Sequence, residues 1–534
     1  MDLGTTKYDF IIVGGGSSGC VLANRLSESR HYNVLLIEAG KDKHIWSSIP
    51  ISFATLMNNP KANWLYKSEP DAGSNYREIE IPRGKLLGGS SAINGMVFVR
   101  GQPHDYDHWS QLGNRGWSYE EVLPFFKTME TCSFGDDQFR GRNGPLIVTD
   151  PQESGPLYDA MFDAASQIGI QKNTDYNGAT QEGVAMTQAT ISKGKRQSTA
   201  TTYLFPAKKR KNLTIITDSY ATKLIIDNKR CIGVEFYQSK RLRQVLANRE
   251  VIVCSGTINS PKLLELSGIG DVDVIKNAGL LVHHHLPGVG KNLRDHYAPR
   301  MKWAILKKGY TYNDKAKGLG MLFQALNYIC FKSGFLALPA APMRAYVKSR
   351  EGLLSPDLGL SVNPFLITNG VRLSKESGFT MAVHVLRSES TGTVHIKNLD
   401  PKCPPEIRFN FLSSDNDRQT LLKGMKVVRN WVNADAMRGI VGCELAPGVT
   451  TTADKDLLNW VRNNAETTYH PVGTCKMGMD PDAVVDNELK VHGIIGLRIA
   501  DASIMPTLTS GNTNAPAIMI GEKAASMILA ANTP

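Results

Sequence analysis

Two stretches of this chain carry residue types and spacings that could do chemistry. The first is Gly14-Gly15-Gly16-Ser17-Ser18-Gly19, which follows the apolar run Tyr8 to Val13 and precedes Val21, Leu22, Ala23 and Leu26 at helical spacing. In a strand–turn–helix, Gly14 makes the tight turn, Gly16 lets a pyrophosphate approach the backbone, and Gly19 lets the helix pack on the strand. The N-terminus of the helix, at Ser17 and Ser18, favours phosphate. Glu38 ends the next strand, Val34 to Ile37, 24 residues past Gly14, where it can accept hydrogen bonds from a ribose diol. A dinucleotide is expected here, and Glu38-Ala39-Gly40 leans by association towards FAD. The second stretch is Tyr469-His470-Pro471-Val472-Gly473. Imidazole titrates near neutrality, which makes a histidine a natural general base. Pro471 fixes a backbone dihedral and Gly473 permits close approach of the chain. Read alone, this turn leaves two roles open for His470, structural or basic.

Other candidates are weaker. His283-His284-His285 looks like a metal tract, but neighbouring side chains on a strand face opposite ways and cannot converge on one ion. His104, His108 and His492 have no neighbouring chemistry and read as surface or structural. The eight cysteines are scattered without a C-x-x-C pair, which favours reduced thiols over zinc or a disulfide framework. No metal is expected.

The elements that must position these groups are those of a large α/β protein. Tyr8 to Val13 and Val34 to Ile37 are unbroken apolar runs, as in strands buried on both faces. Leu213-Thr214-Ile215-Ile216, Leu224-Ile225-Ile226 and Gly233-Val234-Glu235-Phe236 resemble a small antiparallel meander. Met381 to Leu386 reads as a strand and Asp417 to Val432 as an amphipathic helix. With 534 residues, 42% hydrophobic and 21% charged, the chain is neither disordered nor a single ordinary core. No 20–50-residue repeat suggests a solenoid. No apolar run approaches the roughly 18 residues that span a bilayer, and the start lacks a signal-like core. A cytoplasmic location is expected, with attachment to a membrane surface left open. The net charge of +11 invites a nucleic-acid partner, but Lys208-Lys209-Arg210-Lys211 lacks interleaved aromatics and reads as a solvated turn. Asn212-Leu213-Thr214 opens a strand and is taken as a chance match to a glycosylation acceptor.

A set of longer motifs names a family. Arg83-Gly84-Lys85-Leu86-Leu87-Gly88-Gly89-Ser90-Ser91-Ala92-Ile93-Asn94-Gly95-Met96 is a second loop of small residues. Gly256 to Gly270, Leu286 to His296, Tyr469 to Gly478, Asp501 to Pro506 and Gly511 to Pro516 follow in order. Together they resemble the glucose–methanol–choline oxidoreductases, flavoenzymes that oxidise alcohols, from Tyr8 to about Ile528. The closest flavour is the bacterial choline-dehydrogenase-like branch.

The resemblance implies an α/β fold with two discontinuous parts. A Rossmann-like FAD-binding domain would comprise 1–155, 195–305 and 465–534. A substrate-binding domain, an antiparallel sheet flanked by helices, would comprise 156–194 and 306–464. By the same resemblance, His470 is the catalytic base and Asn512 the partner that donates to the alkoxide. Asn514 would only brace the turn. Gly89, Ser90, Ser91, Asn94, Gly95 and Met96 would run beside the isoalloxazine and pyrophosphate. Trp64 and Arg83 fall near the nucleotide, Ala221 meets the adenine, and Asp501 and Ala502 meet the ribityl chain and pyrophosphate. Thr513 joins them beside Asn512. Some members attach the flavin through a histidine where this chain has Ile93, so a dissociable FAD is expected. Ser390-Thr391-Gly392 departs from the arginine that many relatives carry in its middle.

The implied reaction is oxidation of a primary alcohol to an aldehyde, with a quinone, dye or oxygen recharging the flavin and dehydrogenase favoured over oxidase. A hydroxynitrile lyase with structural FAD and a silent flavin protein are the alternatives. Leu336 to Met343 supplies neither an aromatic cage nor a carboxylate, which disfavours choline and favours a neutral alcohol, polyol or sugar alcohol. A homo-oligomer is left open.

Overall fold

Tyr8–Val13 (β1) and Val34–Ile37 (β2) are buried along nearly their whole length, with Ser17–Glu28 (α1) between them. This is the strand–turn–helix read from the glycines. The computed structural model describes residues 7–150, 153–368 and 372–532. Leu213–Ile216 (β3) pairs parallel to β2 in the register Leu213↔Val34. It therefore belongs to the nucleotide sheet and not to the meander expected from its sequence. The reason is local: Asp218, at φ 49°, turns the chain between β3 and Ser219–Asp227 (β4), so the two strands join different neighbours.

The meander is built instead from β4, Arg230–Gln238 (β5) and Arg241–Val253 (β6). The thirteen-residue β6 serves two sheets. Its exposed start pairs antiparallel with β5, while Val251–Val253 is buried and pairs parallel with β1 and with Leu497–Ile499. Gly256–Leu266 (α2) follows directly. At the far end of the chain, the helix Asn514–Ala531 packs on α1, where Arg25 clasps Glu522 through two hydrogen bonds of 2.8 Å.

The middle of the chain forms a six-stranded antiparallel sheet. Its order is 441–446, 300–305, 378–385, 358–363, 343–347 and 183–186. The sheet thus takes Arg300–Ile305 from the segment expected to end the FAD side. Alternation along these strands divides the two faces. Met301, Trp303, Leu360, Val362, Met381 and Val383 point into one core. Arg300, Lys302, Arg344, Ser361, Asn363, Thr380, Ala382 and His384 point the other way, into the main cavity. Of the further helices, Leu319–Phe331 (α3) lies at the surface, Asp415–Val432 (α4) covers the apolar face and Asn514–Ala531 is α5. A Cβ on Gly424 of α4 would come within 2.7 Å of Val383, so the missing side chain is what lets helix meet strand. Trp431 anchors the far end of α4, its indole donating to the carbonyl of Met161 at 2.9 Å. Truncating that side chain to Ala would cost about 3–5 kcal/mol.

Ser390 finds a use here as well. Its N–H and hydroxyl both donate to Asp417 in the first turn of α4, which ties the loop after the sheet to the helix that covers it. The basic cluster is a turn with Lys208, Lys209 and Lys211 exposed, and Arg210 reaches back to Asn24 and Ser27. The Asn212 amide donates to three carbonyls, of Ser27, Ser29 and Tyr32, so it is engaged in the fold.

Candidate active site

A cavity of about 1280 Å³ lies between the glycine loops and the polar face of the antiparallel sheet. That exceeds the usual 300–1,000 Å³ of a small-molecule pocket and gives room for a dinucleotide with a substrate beside it. Gly14 stands at φ 107°, and a Cβ there would strike the Cys254 carbonyl at 2.5 Å. A Cβ on Gly19 would lie 1.9 Å from the Gly14 oxygen, so this residue serves packing and does not line the cavity. Gly16 is open, with nothing nearer than 3.8 Å to a Cβ. Helix α1 begins there without a side-chain cap. Its first N–H groups are left for a ligand at Ser17 and Ser18, which suits the pyrophosphate of FAD.

Glu38 and Ala39 line the same cavity. The Glu38 carboxylate accepts the N–H of Gly15 at 2.9 Å and of Gly40 at 2.7 Å. Burial pushes its pKa up to about 7. Trp64 stacks on Tyr66 and sits near Tyr220, with Ala221 following on the wall. Gly89 at φ 51° touches Gly16, bringing the two glycine loops together. Ser90, Asn94, Gly95 and Met96 continue the wall. The buried Arg196 holds this loop by donating to the Asn94 carbonyl and side chain, at 2.5 and 2.7 Å. Asp501 accepts from Gly256 N–H and Ser260 hydroxyl, and presents Ala502 to the cavity. These features fit an FAD, from the uncapped helix end to the buried carboxylate.

At the other end stands His470, buried with its ring in the cavity wall. Its protonation state can be traced from a fixed point. The Leu386 carbonyl lies 2.8 Å from His296 Nε2 and can only accept, so that nitrogen carries a proton. Burial lowers the His296 pKa to about 4, which leaves its Nδ1 bare at neutral pH. The His470 Nδ1 lies 3.0 Å from it and must donate, with the Thr468 hydroxyl at 2.8 Å sharing the bond. His470 Nε2 is then unprotonated and accepts from the Asn512 amide at 2.8 Å. The orientation of that amide is set independently. The Arg344 guanidinium donates to Asn512 Oδ1 at 3.1 Å, which turns the NH2 group towards His470. Burial, then the neighbouring His296 and His384, then Arg83 and Arg344, hold the His470 pKa well below the ordinary imidazole value. An imidazole so placed can take a proton at Nε2.

The backbone behind it is fixed too. Asp295 accepts the N–H of His296 at 2.7 Å and of His470 at 2.9 Å. Arg83 donates to the Tyr469 carbonyl at 2.6 Å and so stands beside His470. Thr513 lines the cavity next to Asn512, while Asn514 opens α5 and accepts from Ser17 at 2.8 Å. Sequence reasoning missed Asp295, His296, His384, Arg344, Arg196 and Thr468. The turn ending at Asp295-His296 was visible as a motif, and a histidine within it was the signal. The other histidines lie apart from the site. His284 and His285 form a short strand with Ile269-Gly270, His492 bonds the Gly478 carbonyl, and His104 stacks on His108. Among the described residues no cluster of three or more His, Cys, Asp or Glu is placed to hold a metal.

Comparison with known proteins agrees with this geometry. Residues 8–298 and 388–521 match the N- and C-terminal parts of the GMC oxidoreductase family. An oxygen-dependent choline dehydrogenase of Photobacterium profundum is 41% identical over 99% of this chain and 94% of its own. One from Brucella suis biovar 1 is 39% identical over 98% and 96%. Among solved structures, pyridoxine 4-oxidase from Mesorbium loti superposes with a TM-score of 0.89 at 30% identity, covering 97% of this chain and 99% of that one. A formate oxidase superposes at 0.91 and 26% identity, over 99% of both chains. With family motifs, fold and buried imidazole in agreement along nearly the whole length, the chain belongs to the GMC oxidoreductases, FAD-dependent enzymes acting on CH–OH donors.

Proposed function

We propose that this enzyme oxidises a primary alcohol without fixed positive charge (a neutral alcohol, polyol or sugar alcohol) to its aldehyde, using a non-covalently held FAD. FAD, when bound, supplies the acceptor for the hydride that leaves the alcohol carbon. The chain's own residues hold the alcohol and move its proton. His470 takes the hydroxyl proton at Nε2, and the second N–H of the Asn512 amide donates to the developing alkoxide. The observation that carries this reading is the bare Nε2 of His470, held 2.8 Å from an amide whose orientation Arg344 fixes. A positioned base contributes about 10²–10⁴-fold and one oxyanion donor about 10²–10³-fold. Gly14, Gly16, Ser17 and Ser18 would hold the pyrophosphate, and Glu38 and Ala39 the ribose. Trp64 and Ala221 would flank the adenosine, with Gly89, Ser90, Asn94, Gly95, Met96, Asp501, Ala502 and Thr513 along the rest. Ser91 bonds Gly88 and Thr199 inside the loop and lies off the cavity. Arg83 belongs with the His470 end. Ile93 offers no nucleophile, so no flavin bond forms through it.

Charge around the base bears on the substrate. Arg83 and Arg344 both act on His470, and Glu466 is engaged by Arg300 at 2.8 Å. A quaternary ammonium would meet guanidinium groups there and a carboxylate already paired. This argues against choline, although the curated relatives named above are choline dehydrogenases. The relatives named above are called oxygen-dependent, so oxygen stands beside a quinone or dye as the electron acceptor. The test is a panel of choline, aliphatic alcohols, polyols and sugar alcohols, followed by dye reduction beside oxygen uptake. Choline outrunning every uncharged alcohol would overturn the substrate assignment, and stoichiometric peroxide would make the enzyme an oxidase. Cyanohydrin cleavage without flavin reduction would make it a lyase.

A further inference from the structure

Helix α3 is inverted relative to an ordinary surface helix. Its polar side chains serve the protein: Gln324 Oε1 accepts the Phe335 N–H at 3.0 Å, and the Tyr328 hydroxyl donates to the Gly194 carbonyl at 3.0 Å. Its apolar side chains face outward. Leu319, Leu322, Phe323, Leu326 and Ile329 are between 51% and 86% exposed. At spacings of three and four residues they form one stripe along the helix. A contiguous apolar face of this kind marks an interaction surface. The thirteen residues of α3 span about 20 Å, too short to cross a hydrocarbon core of about 30 Å.

Basic residues outnumber acids around the stripe, although Glu153, bonded by the Tyr312 hydroxyl, lies within electrostatic reach of Lys315. Lys315 and Lys317 precede α3, Lys332 follows it, and Lys193 and Lys195 flank the Gly194 that takes the Tyr328 bond. None of these lysines forms an ion pair among the described residues. The one acid between 307 and 332 is Asp314, which is engaged by the Gly309 N–H and the Ser377 hydroxyl. Helix α3 itself borders the active-site cavity, on the side away from the stripe. Met321 of α3 and Trp46 both line that cavity and are exposed, and Ile45 beside Trp46 is 78% exposed.

We propose that α3 docks on the surface of an anionic lipid bilayer, its apolar stripe in the acyl boundary and the flanking lysines against headgroup phosphates, so that the cavity opens at the lipid surface. An apolar helical face bordered by basic residues is the chemistry of an interfacial helix. A second copy fits less well, because a two-fold contact through the stripe would set the lysines of one copy near those of the other. This proposal is independent of the reaction assigned above.

The test is flotation of the FAD-loaded protein with vesicles of phosphatidylcholine, alone or mixed with phosphatidylglycerol, at low and high salt. The protein should float with the mixed vesicles at low salt. Leu322→Gln with Phe323→Gln and Leu326→Gln should reduce the bound fraction about tenfold or more. Lys315→Gln with Lys317→Gln should weaken binding about 30-fold at low salt, and much less at high salt. None of these five residues lines the cavity, so turnover of a water-soluble alcohol should be unchanged. Should the triple variant not fold, the lysine pair and quenching of Trp46 fluorescence by brominated phosphatidylglycerol in the unaltered protein carry the test. Three results would overturn the proposal. They are absence of flotation by the unaltered protein, binding insensitive to both sets of variants, or a dimer in lipid-free ultracentrifugation that the triple variant dissociates.

Discussion

His470 can act as a base only while its Nδ1 keeps the proton and its Nε2 stays bare. Two acceptors enforce that state, His296 Nδ1 at 3.0 Å and Thr468 Oγ1 at 2.8 Å. Removing one of them, by Thr468→Val or His296→Phe, leaves the other in place. The loss is then one hydrogen bond of about 0.5–1.5 kcal/mol, or roughly a 2- to 13-fold slower proton removal. Removing both leaves the Nδ1 proton without an acceptor and the Asn512 amide as the remaining group that favours a bare Nε2, so the loss should be about 1–3 kcal/mol, or roughly 5- to 160-fold. His296→Phe also leaves the Leu386 carbonyl unpaired, so this variant should lose about 1–3 kcal/mol of stability that Thr468→Val keeps. The assay is anaerobic rapid mixing with a saturating alcohol, read as flavin bleaching across pH. Nitrogen-15 NMR of labelled histidines in the same variants reports directly which ring nitrogen is protonated. The sign of the pH dependence is fixed as well. The neutral imidazole is the active form, and its pKa is held well below the usual value, so the rate should rise only in the acid range and be flat through neutrality. A double variant no slower than either single variant would refute the reasoning, since the Nδ1 proton would then not depend on these two acceptors. So would a rate that climbs through about pH 6.5 or above, the ordinary imidazole value.

Three further outcomes are expected. His470→Ala should slow flavin reduction by about 10²–10⁴-fold while the bound flavin spectrum stays nearly unchanged, which absorbance and rapid mixing together would check. Asn512→Ala should cost about 10²–10³-fold in the same assay. Asn514→Ala, which removes only the bond from Ser17, should instead weaken flavin retention or lower the melting temperature by the equivalent of about 0.5–1.5 kcal/mol. Acid precipitation should leave FAD in the supernatant, and flavin remaining with the pellet would contradict a dissociable cofactor.

Much of the site was legible because its signals are local. Gly14, Gly16 and Gly19 encode backbone conformation and close approach within a few residues, and Glu38 follows one strand later. The apolar runs that became β1 and β2, and the helical period from Asp417 to Val432, likewise needed no distant partner. Local signals failed where a strand had to choose its neighbour. The run Leu213 to Ile216 has the residue types of a strand, but nothing in it distinguishes a parallel partner at Val34 from an antiparallel one at Leu224. That choice was made by the turn at Asp218 and by what each neighbour buries.

The motif Tyr469 to Gly473 marked His470 and left its protonation state undetermined. That state comes from a carbonyl at Leu386, an imidazole at His296 and a guanidinium at Arg344, which arrive from separate parts of the antiparallel sheet and its flanking turns. The register between those strands is long-range, and the alternation of their side chains turns Arg344 and His384 to the cavity while Met343 and Val383 point into the opposite core. The sequence by itself therefore determined which backbone conformations were available and, through its family motifs, offered His470 as a candidate base. Only the tertiary structure decided which nitrogen of that imidazole is bare, because a tautomer is set by the donors and acceptors that strand pairing brings within about 3 Å.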